Sequence, residues 1–229
     1  MSNDHVALVT GYTGESGKTL LKELIKHPKY KKIILVGRRR VDYSENEYKE
    51  KTEQRQVNFD KIDDYLDAFR GADIHFCCLG TTKGKAGAEG FRRVDFDYIV
   101  GAGRLAKQAG CRHFHLLSSQ GADAHSLFLY TQVKGQTETA LTQMSFDRLS
   151  IYRPAFLMVD REENRPFERF AQTVIRNTIQ RVAPELITTP IEVLARAMCY
   201  NTFTANQSGV EILNNHAIFR LAGQHQSSE

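Results

Sequence analysis

The sequence predicts an α/β protein built on a parallel sheet with helices on both faces, and three observations carry that expectation. An apolar run, Val6-Ala7-Leu8-Val9, feeds directly into Gly11, Gly14 and Gly17, and an amphipathic helical pattern follows. Short apolar runs then recur at 33–36, 74–79, 112–119 and 147–154, with helix-length segments between most of them. Strands alternating with helices of this length imply βαβ crossovers, which put neighbouring strands parallel. No internal repeat breaks the alternation, so the chain reads as a Rossmann-type doubly wound sheet with a small C-terminal helical substrate or lid region.

Composition narrows the function classes. The chain has 229 residues, 41% of them hydrophobic and 25% charged, the balance of an ordinary folded domain. A net charge of +4 is too mild to predict direct nucleic-acid binding, and basic residues are interleaved with acidic ones except at Arg38-Arg39-Arg40. No apolar stretch approaches the roughly 20 residues that cross a bilayer, so no transmembrane segment is expected. The first strand begins within the first few residues, which leaves no room for a signal peptide. The four cysteines lack a Cys-x-x-Cys spacing, and Cys77 and Cys78 fall on opposite faces of one strand. They read as small buried hydrophobes in a reducing compartment, which gives a cytoplasmic expectation.

The glycine stretch has a physical reading of its own. Gly11 and Gly14 can adopt backbone angles closed to other residues, and without a Cβ they let a ligand approach the main chain. Amide N–H groups at the start of the next helix, backed by its dipole, attract a pyrophosphate. Gly17 lets that helix pack closely on the strand. Gly17-Lys18-Thr19 also ends like a phosphate-binding P-loop. That motif requires a glycine at the position of Tyr12, and Gly11 is one residue too early. The dinucleotide reading survives and the P-loop reading does not.

The first helix is expected over 14–27 and the second strand over 33–36, running into Gly37. An NAD site carries an acid about 20 positions after the last glycine, where it holds the ribose 2′-hydroxyl. Here that position is Gly37, and arginines follow at once. The missing carboxylate removes repulsion toward a 2′-phosphate, and the guanidinium groups of Arg38 and Arg39 offer it forked hydrogen bonds. The cofactor expected is NADPH.

Residues 41–54 read as a polar surface loop or short solvated helix, and Gln56–Asp60 as the third strand. Asp60 is placed to contact an adenine amine or to cap a helix over 62–69. The fourth strand, 74–80, ends in Leu79-Gly80 at the crevice of such a sheet. Thr81–Gly90, with three glycines and two lysines, reads as a loop able to fold over a ligand. A helix over 91–109 and a strand over 112–119 follow. His113 and His115 share a strand face, but no third ligand stands at a matching spacing, so no metal is expected. A helix over 128–144 and a strand over 147–154 complete the alternation. Beyond them the chain is irregular over 160–166, helical in pattern over 167–182, and helical again after Pro190. The whole chain, 1–229, is expected to be one domain. About 150–222 forms the smaller substrate-side portion and 223–229 a polar tail.

The chemistry concentrates at Ser118-Ser119, Tyr130 and Lys134. Tyr130 and Lys134 lie four apart on a predicted helix and project from one face. An ammonium beside a phenol favours the phenolate, which lets the phenol exchange a proton with a carbonyl or alcohol near neutral pH. A serine at the end of the preceding strand hydrogen-bonds the same substrate oxygen. This set supports hydride transfer between a nicotinamide and a carbonyl or alcohol.

The combination of Gly-x-x-Gly-x-x-Gly with Ser…Tyr-x-x-x-Lys resembles the short-chain dehydrogenase/reductase superfamily, in its extended or atypical branch. The resemblance goes further. Gly14-Glu15-Ser16-Gly17, Leu35–Arg39, the run Phe76–Phe91, Leu116–Ser119, Tyr130–Gly135 and Arg165-Pro166 are similar to the oxidoreductase-like Tat-interacting protein family, over about His5 to Leu221. That resemblance implies a Rossmann fold with bound NADPH. Residue by residue, it puts Thr13, Gly14, Glu15 and Ser16 on the pyrophosphate and Arg38 and Arg39 on the 2′-phosphate. Leu79 and Gly80 would line the crevice, Tyr130 and Lys134 meet the nicotinamide ribose, and Leu157 and Arg165 close over that end. Gly11 and Gly17 shape the loop, and Ser119 rather than Ser118 faces the substrate. The family's animal members carry an N-terminal helical extension that this sequence lacks, and the loop has Tyr12-Thr13 where small residues are more usual.

Two functional expectations follow. The first is an NADPH-dependent reductase of an unknown small-molecule carbonyl substrate, with Tyr130 as proton donor. The second, implied by the resemblance, is an NADPH-binding redox-sensing regulator acting through protein partners in transcription, nuclear transport, apoptosis and growth control. That adds a nuclear or nuclear-envelope location to the cytoplasmic one. Phe156, Met158, Phe167 and Phe170 are candidates for an apolar substrate pocket or for core.

Overall fold

The structure, a computed structural model, describes residues 4–158, 187–204 and 208–224. A seven-stranded parallel sheet runs through it. Its strands are β1 (His5–Thr10), β2 (Tyr30–Gly37), β3 (Thr52–Gln56), β4 (Ile74–Cys77), β5 (His113–Leu117), β6 (Arg148–Arg153) and β9 (Gly209–Asn214). Their spatial order is β3-β2-β1-β4-β5-β6-β9, and every pairing is parallel. The chain winds outward from β1 to β3 and then returns to place β4 on the other side of β1. The sheet is therefore a Rossmann-type, doubly wound one, with its switch point between β1 and β4. Two short strands, β7 (Phe156–Met158) and β8 (Thr188–Pro190), pair separately.

Alternate strand residues enter two cores. Ala7, Val9, Ile33, Leu35 and Phe76 pack beneath α1 (Glu15–Lys26), α7 (Ile191–Asn201) and α8 (Asn215–Gly223). Leu8, Ile34, Val36, Cys77 and Phe114 pack on the other face, against α5 (Ile99–Gln108) and α6 (Leu129–Thr142). Such two-sided burial is why these strands are continuous apolar runs rather than alternating ones.

Several expected elements need correction. The third strand lies at Thr52–Gln56, after a short α2 (Asn46–Lys51), and not at 56–60. As the edge of the sheet it is half exposed and polar throughout, so no hydrophobic pattern marks it, while Val57 and Phe59 turn inward after it ends. Phe59–Tyr65 is a 3₁₀ segment leading into α3 (Leu66–Phe69), and its cap is Asn58, whose Oδ1 accepts from the Asp60 N–H at 3.0 Å. Asp60 instead accepts from the Tyr98 hydroxyl at 2.6 Å.

The expected loop at 81–90 is a helix, α4 (Lys83–Arg92), broken at Gly87 where φ is +71°. A π-helical turn, Arg93–Tyr98, joins it to α5 without a gap. Strand β9 had no counterpart in the sequence reading. Its exposed residues Val210 and Ile212 are apolar while Glu211 lies half-buried between them, so its pattern is inverted for an edge strand. The helix pattern at 167–182 and the irregular stretch at 160–166 lie outside the described residues.

Candidate active site

The site grows from the C-terminal ends of β1 and β4. β1 delivers the chain to Gly11, which adopts φ +80°, and a Cβ there would lie 2.4 Å from the Cys78 carbonyl carbon. At Gly17, on the buried face of α1, a Cβ would come within 2.3 Å of the Gly11 oxygen. Both glycines are therefore required by the protein's own packing. Gly14 differs. Its backbone is extended, with φ −81° and ψ 164°, and a Cβ would meet only the Gly11 oxygen at 3.4 Å, an ordinary contact. The expectation that Gly14 needs a special backbone conformation is thus corrected. The fold does not demand a glycine there, whereas a ligand lying against the main chain would.

Gly14 also caps α1, and having no side chain it makes no side-chain cap to that helix. A cavity opens in front of it, and Thr13, Gly14, Arg38, Arg39, Leu79 and Gly80 all line it. The structure so brings together both halves of the expected cofactor set. The Arg38 and Arg39 side chains are exposed, at the end of β2. Glu15 and Ser16 occupy the first turn of α1, half-buried beside the cavity rather than among its lining residues. Leu157, on β7, packs against the core beneath α1 and α7 and does not reach this cavity. Arg165, Phe167 and Phe170 lie outside the described residues. Phe156 and Met158 are about half exposed on β7.

Phe59, Val94 and Tyr98 are among the lining residues that were not foreseen. The Phe59 and Tyr98 rings stack on each other at 5.3 Å and give the cavity an apolar, aromatic wall. Burial raises the Tyr98 phenol, and its bond to the Asp60 carboxylate raises it further. Nothing in the sequence joined them: Phe59 and Tyr98 are 39 positions apart, one in the expected third strand and the other in the expected helix over 91–109.

Farther along the crevice, α6 carries Tyr130 and Lys134. Tyr130 is half exposed and stacks on Phe91 at 5.6 Å. Lys134 is buried, and its ammonium lies 2.9 Å from the carboxylate of Asp95, which is 1% exposed. Asp95 also accepts the Thr81 N–H at 2.8 Å, and its carbonyl accepts the Thr137 hydroxyl at 2.7 Å. Burial pulls the Lys134 pKa down, but Asp95 and then Tyr130 outweigh it, so the net direction is upward and the ammonium is held charged. Asp95, on the π-helical turn, is the residue that sequence reasoning missed here. A Cβ on Gly80 would sit 3.4 Å from its Oδ1, so it stands at the crevice wall.

The two serines separate clearly. Ser118 is buried and donates to Glu138, which also accepts two bonds from Arg153, at 2.5 and 3.1 Å. The Ser119 hydroxyl is buried and has no hydrogen-bond partner among the described residues. The turn bearing Ser119 is pressed onto α6 because residue 135 is a glycine, where a Cβ would strike the Ala124 nitrogen at 2.1 Å. Asp123 N–H to Thr131 C=O, at 3.0 Å, fixes the same contact. Of the pair, Ser119 is the one whose hydroxyl is unused among the described residues.

His113 and His115 are fully engaged inside the sheet. His113 Nε2 and Ser150 Oγ are 2.7 Å apart, and His115 Nδ1 and the Tyr152 hydroxyl 2.9 Å. Burial drives the His113 pKa down to about 2 and that of His115 well below the usual value, so both are neutral. All four cysteines are free thiols, and Cys78, which borders the cavity, is pushed far up by burial.

A doubly wound sheet with a glycine loop at its switch point, a basic turn after β2 and a Ser-Tyr-Lys set beyond β5 defines an NAD(P)-binding protein of the short-chain dehydrogenase/reductase type. A family profile described as NAD(P)H-binding matches residues 11–186, and the chain belongs to that family. Rat protein HTATIP2 is 44% identical over 221 residues, 96% of this chain and 90% of its own length, which bears out the resemblance to the Tat-interacting family. Candida albicans FMP52 is 31% identical over 168 residues, 72% of this chain and 73% of that protein.

Among solved structures, the oxidoreductase ylbE from Lactococcus lactis aligns over 97% of both chains with a TM-score of 0.66. At 18% identity it shows the shared fold. The expected cytoplasmic or nuclear location is corrected by the fungal relatives, since those from Candida albicans, Scheffersomyces stipitis and Emericella nidulans are named as mitochondrial proteins. No helix among the described residues is long and apolar enough to cross a membrane.

Proposed function

We propose that this protein binds NADPH and reduces a small carbonyl compound by hydride transfer. One observation carries the reading: a single cavity joins the open face of Gly14 to Arg38 and Arg39, with no acid where an NAD site holds its ribose. The residues fit the group. Thr13 and Gly14 take the pyrophosphate at the end of α1, the two guanidinium groups take a 2′-phosphate, and the Phe59–Tyr98 wall takes the adenine. Bound there, the reduced nicotinamide supplies a hydride to the carbonyl carbon. Tyr130 gives its phenolic proton to the carbonyl oxygen, yielding an alcohol, and Ser119 donates to that oxygen while the reaction proceeds. Lys134 holds the ribose and supports the phenolate left on Tyr130.

A second reading rests on the Asp95–Lys134 ion pair. A lysine whose charge is already matched by a buried carboxylate gives less support to a phenolate. On that reading the chain holds NADPH as a ligand and acts through protein partners with little turnover. A fluorescence titration with NADPH and NADH, on wild type and an Arg38→Ala/Arg39→Ala variant, tests the common part. Micromolar NADPH binding that the variant loses is expected, and absence of binding at millimolar NADPH overturns both readings. Carbonyl-dependent NADPH oxidation that disappears in Tyr130→Phe separates the reductase from the regulator.

A further inference from the structure

Tyr12 occupies a loop position where sequence alone gives it no role, yet the structure buries it to 2% exposure. Its hydroxyl donates to the Arg39 carbonyl at 2.5 Å. Its ring lies over Gly37, where a Cβ would come within 2.7 Å of the ring edge. The glycine that ends β2 and the tyrosine of the glycine loop are thus a matched pair, one leaving the space that the other fills. The neighbouring carbonyl, that of Arg38, accepts from Gln56 Nε2 at 3.0 Å. Two successive carbonyls of the arginine turn are therefore gripped, one from the glycine loop and one from the end of β3. The backbone of the turn is fixed while both guanidinium groups stay exposed at the cavity.

We propose that Tyr12 is a positioning residue that sets cofactor specificity, locking the arginine turn in the orientation that favours a 2′-phosphorylated dinucleotide. The inference rests on the NADPH reading above. The geometry explains why a tyrosine is needed. The span from the glycine loop across Gly37 to the Arg39 carbonyl takes a full aromatic ring with a donor at its far end. Phenylalanine fills the same space but releases the carbonyl, so the turn regains freedom and each guanidinium meets the phosphate less often. A dinucleotide without the 2′-phosphate does not depend on that orientation and loses nothing. Burial raises the phenol's pKa against the opposing pull of Arg40 and Arg39, so the hydroxyl keeps its proton at neutral pH.

The test is a paired titration of wild type, Tyr12→Phe and Gly37→Ala with NADPH and NADH, with a thermal melt of each protein. Tyr12→Phe is expected to melt as a folded protein and to keep its NADH affinity within about twofold. Its NADPH affinity is expected to fall by roughly 3- to 10-fold, the size of one net hydrogen bond. Gly37→Ala, which crowds the ring from the opposite side, is expected to narrow the same ratio. A wild type without preference for NADPH overturns the cofactor reading and this inference with it. A wild-type preference that survives unchanged in Tyr12→Phe overturns this inference alone. Equal loss of both cofactors in a folded Tyr12→Phe also overturns it, because Tyr12 would then hold the loop rather than the selectivity.

Discussion

Replacing Lys134 by methionine removes the ammonium 2.9 Å from the Asp95 carboxylate and keeps a chain of similar length in its place. Asp95 is 1% exposed, and what remains to it is the Thr81 N–H at 2.8 Å. Breaking a buried pair by removing one partner costs about 3–5 kcal/mol, because the other charge stays buried and uncompensated. Against a total stability of about 5–15 kcal/mol for an ordinary protein, that is a large fraction. With a urea slope near 2 kcal/mol/M, the unfolding midpoint falls by about 1.5–2.5 M. Asp95→Asn in the same background removes the stranded charge, so the double variant recovers most of the loss.

Urea unfolding of the wild type, both single variants and the double variant, followed by circular dichroism at pH 7.5, measures this as a double-mutant cycle. A Lys134→Met midpoint within 0.5 M of wild type, or a double variant as unstable as the two losses added, refutes the reasoning. The outcome matters for function. A single Lys134 variant without activity would confound loss of the ammonium with loss of the fold, and the Asp95→Asn/Lys134→Met protein is the background in which the two are separable.

Two further outcomes are expected. Gly17→Ala drives a Cβ to 2.3 Å from the Gly11 oxygen and is expected to lower stability by about 1–3 kcal/mol, whereas Gly14→Ala, with its nearest contact at 3.4 Å, changes stability by well under that and weakens NADPH binding at least tenfold; thermal melts and titrations of both variants check this, and equal binding by Gly14→Ala and wild type contradicts it. Acid should unfold the protein early, because burial lowers His75 to about 3, His113 to about 2, and His115 well below its usual value. The unfolded chain, with histidines near 6.5, takes up these protons first, so stability is lost as pH falls below about 6.5, by up to roughly 1.4 kcal/mol per pH unit for each histidine. Urea midpoints that stay level from pH 7 down to pH 5 would contradict the burial of these three rings as neutral groups.

What the sequence disclosed and what it hid divide along a physical line. The interior strands were legible because both of their faces are buried, which turns them into apolar runs such as Ile33–Val36 and Phe114–Leu117. The edge strands were not: β3 is polar throughout, and β9 puts Val210 and Ile212 outward, so neither pattern states which face is covered. The same line runs through the site. Gly11, Gly17, Arg38, Arg39, Tyr130 and Lys134 could be singled out as candidates because the spacing that marks them runs along one segment: a loop, a turn, one face of α6. Asp95, Tyr12 and the Phe59–Tyr98 wall act across segments, and each looks ordinary where it stands. Asp95 is one of many acids on the surface of a helical pattern until the π-helical turn rotates it inward beneath Lys134. Tyr12 is a bulky residue in a glycine loop until Gly37 proves to be shaped for it. In this fold the residues proposed to meet a ligand are local in sequence, and the residues packed behind them are distant. A reading built on motifs therefore singles out the first group and passes over the second, where the predictions above place the stability and selectivity of the site.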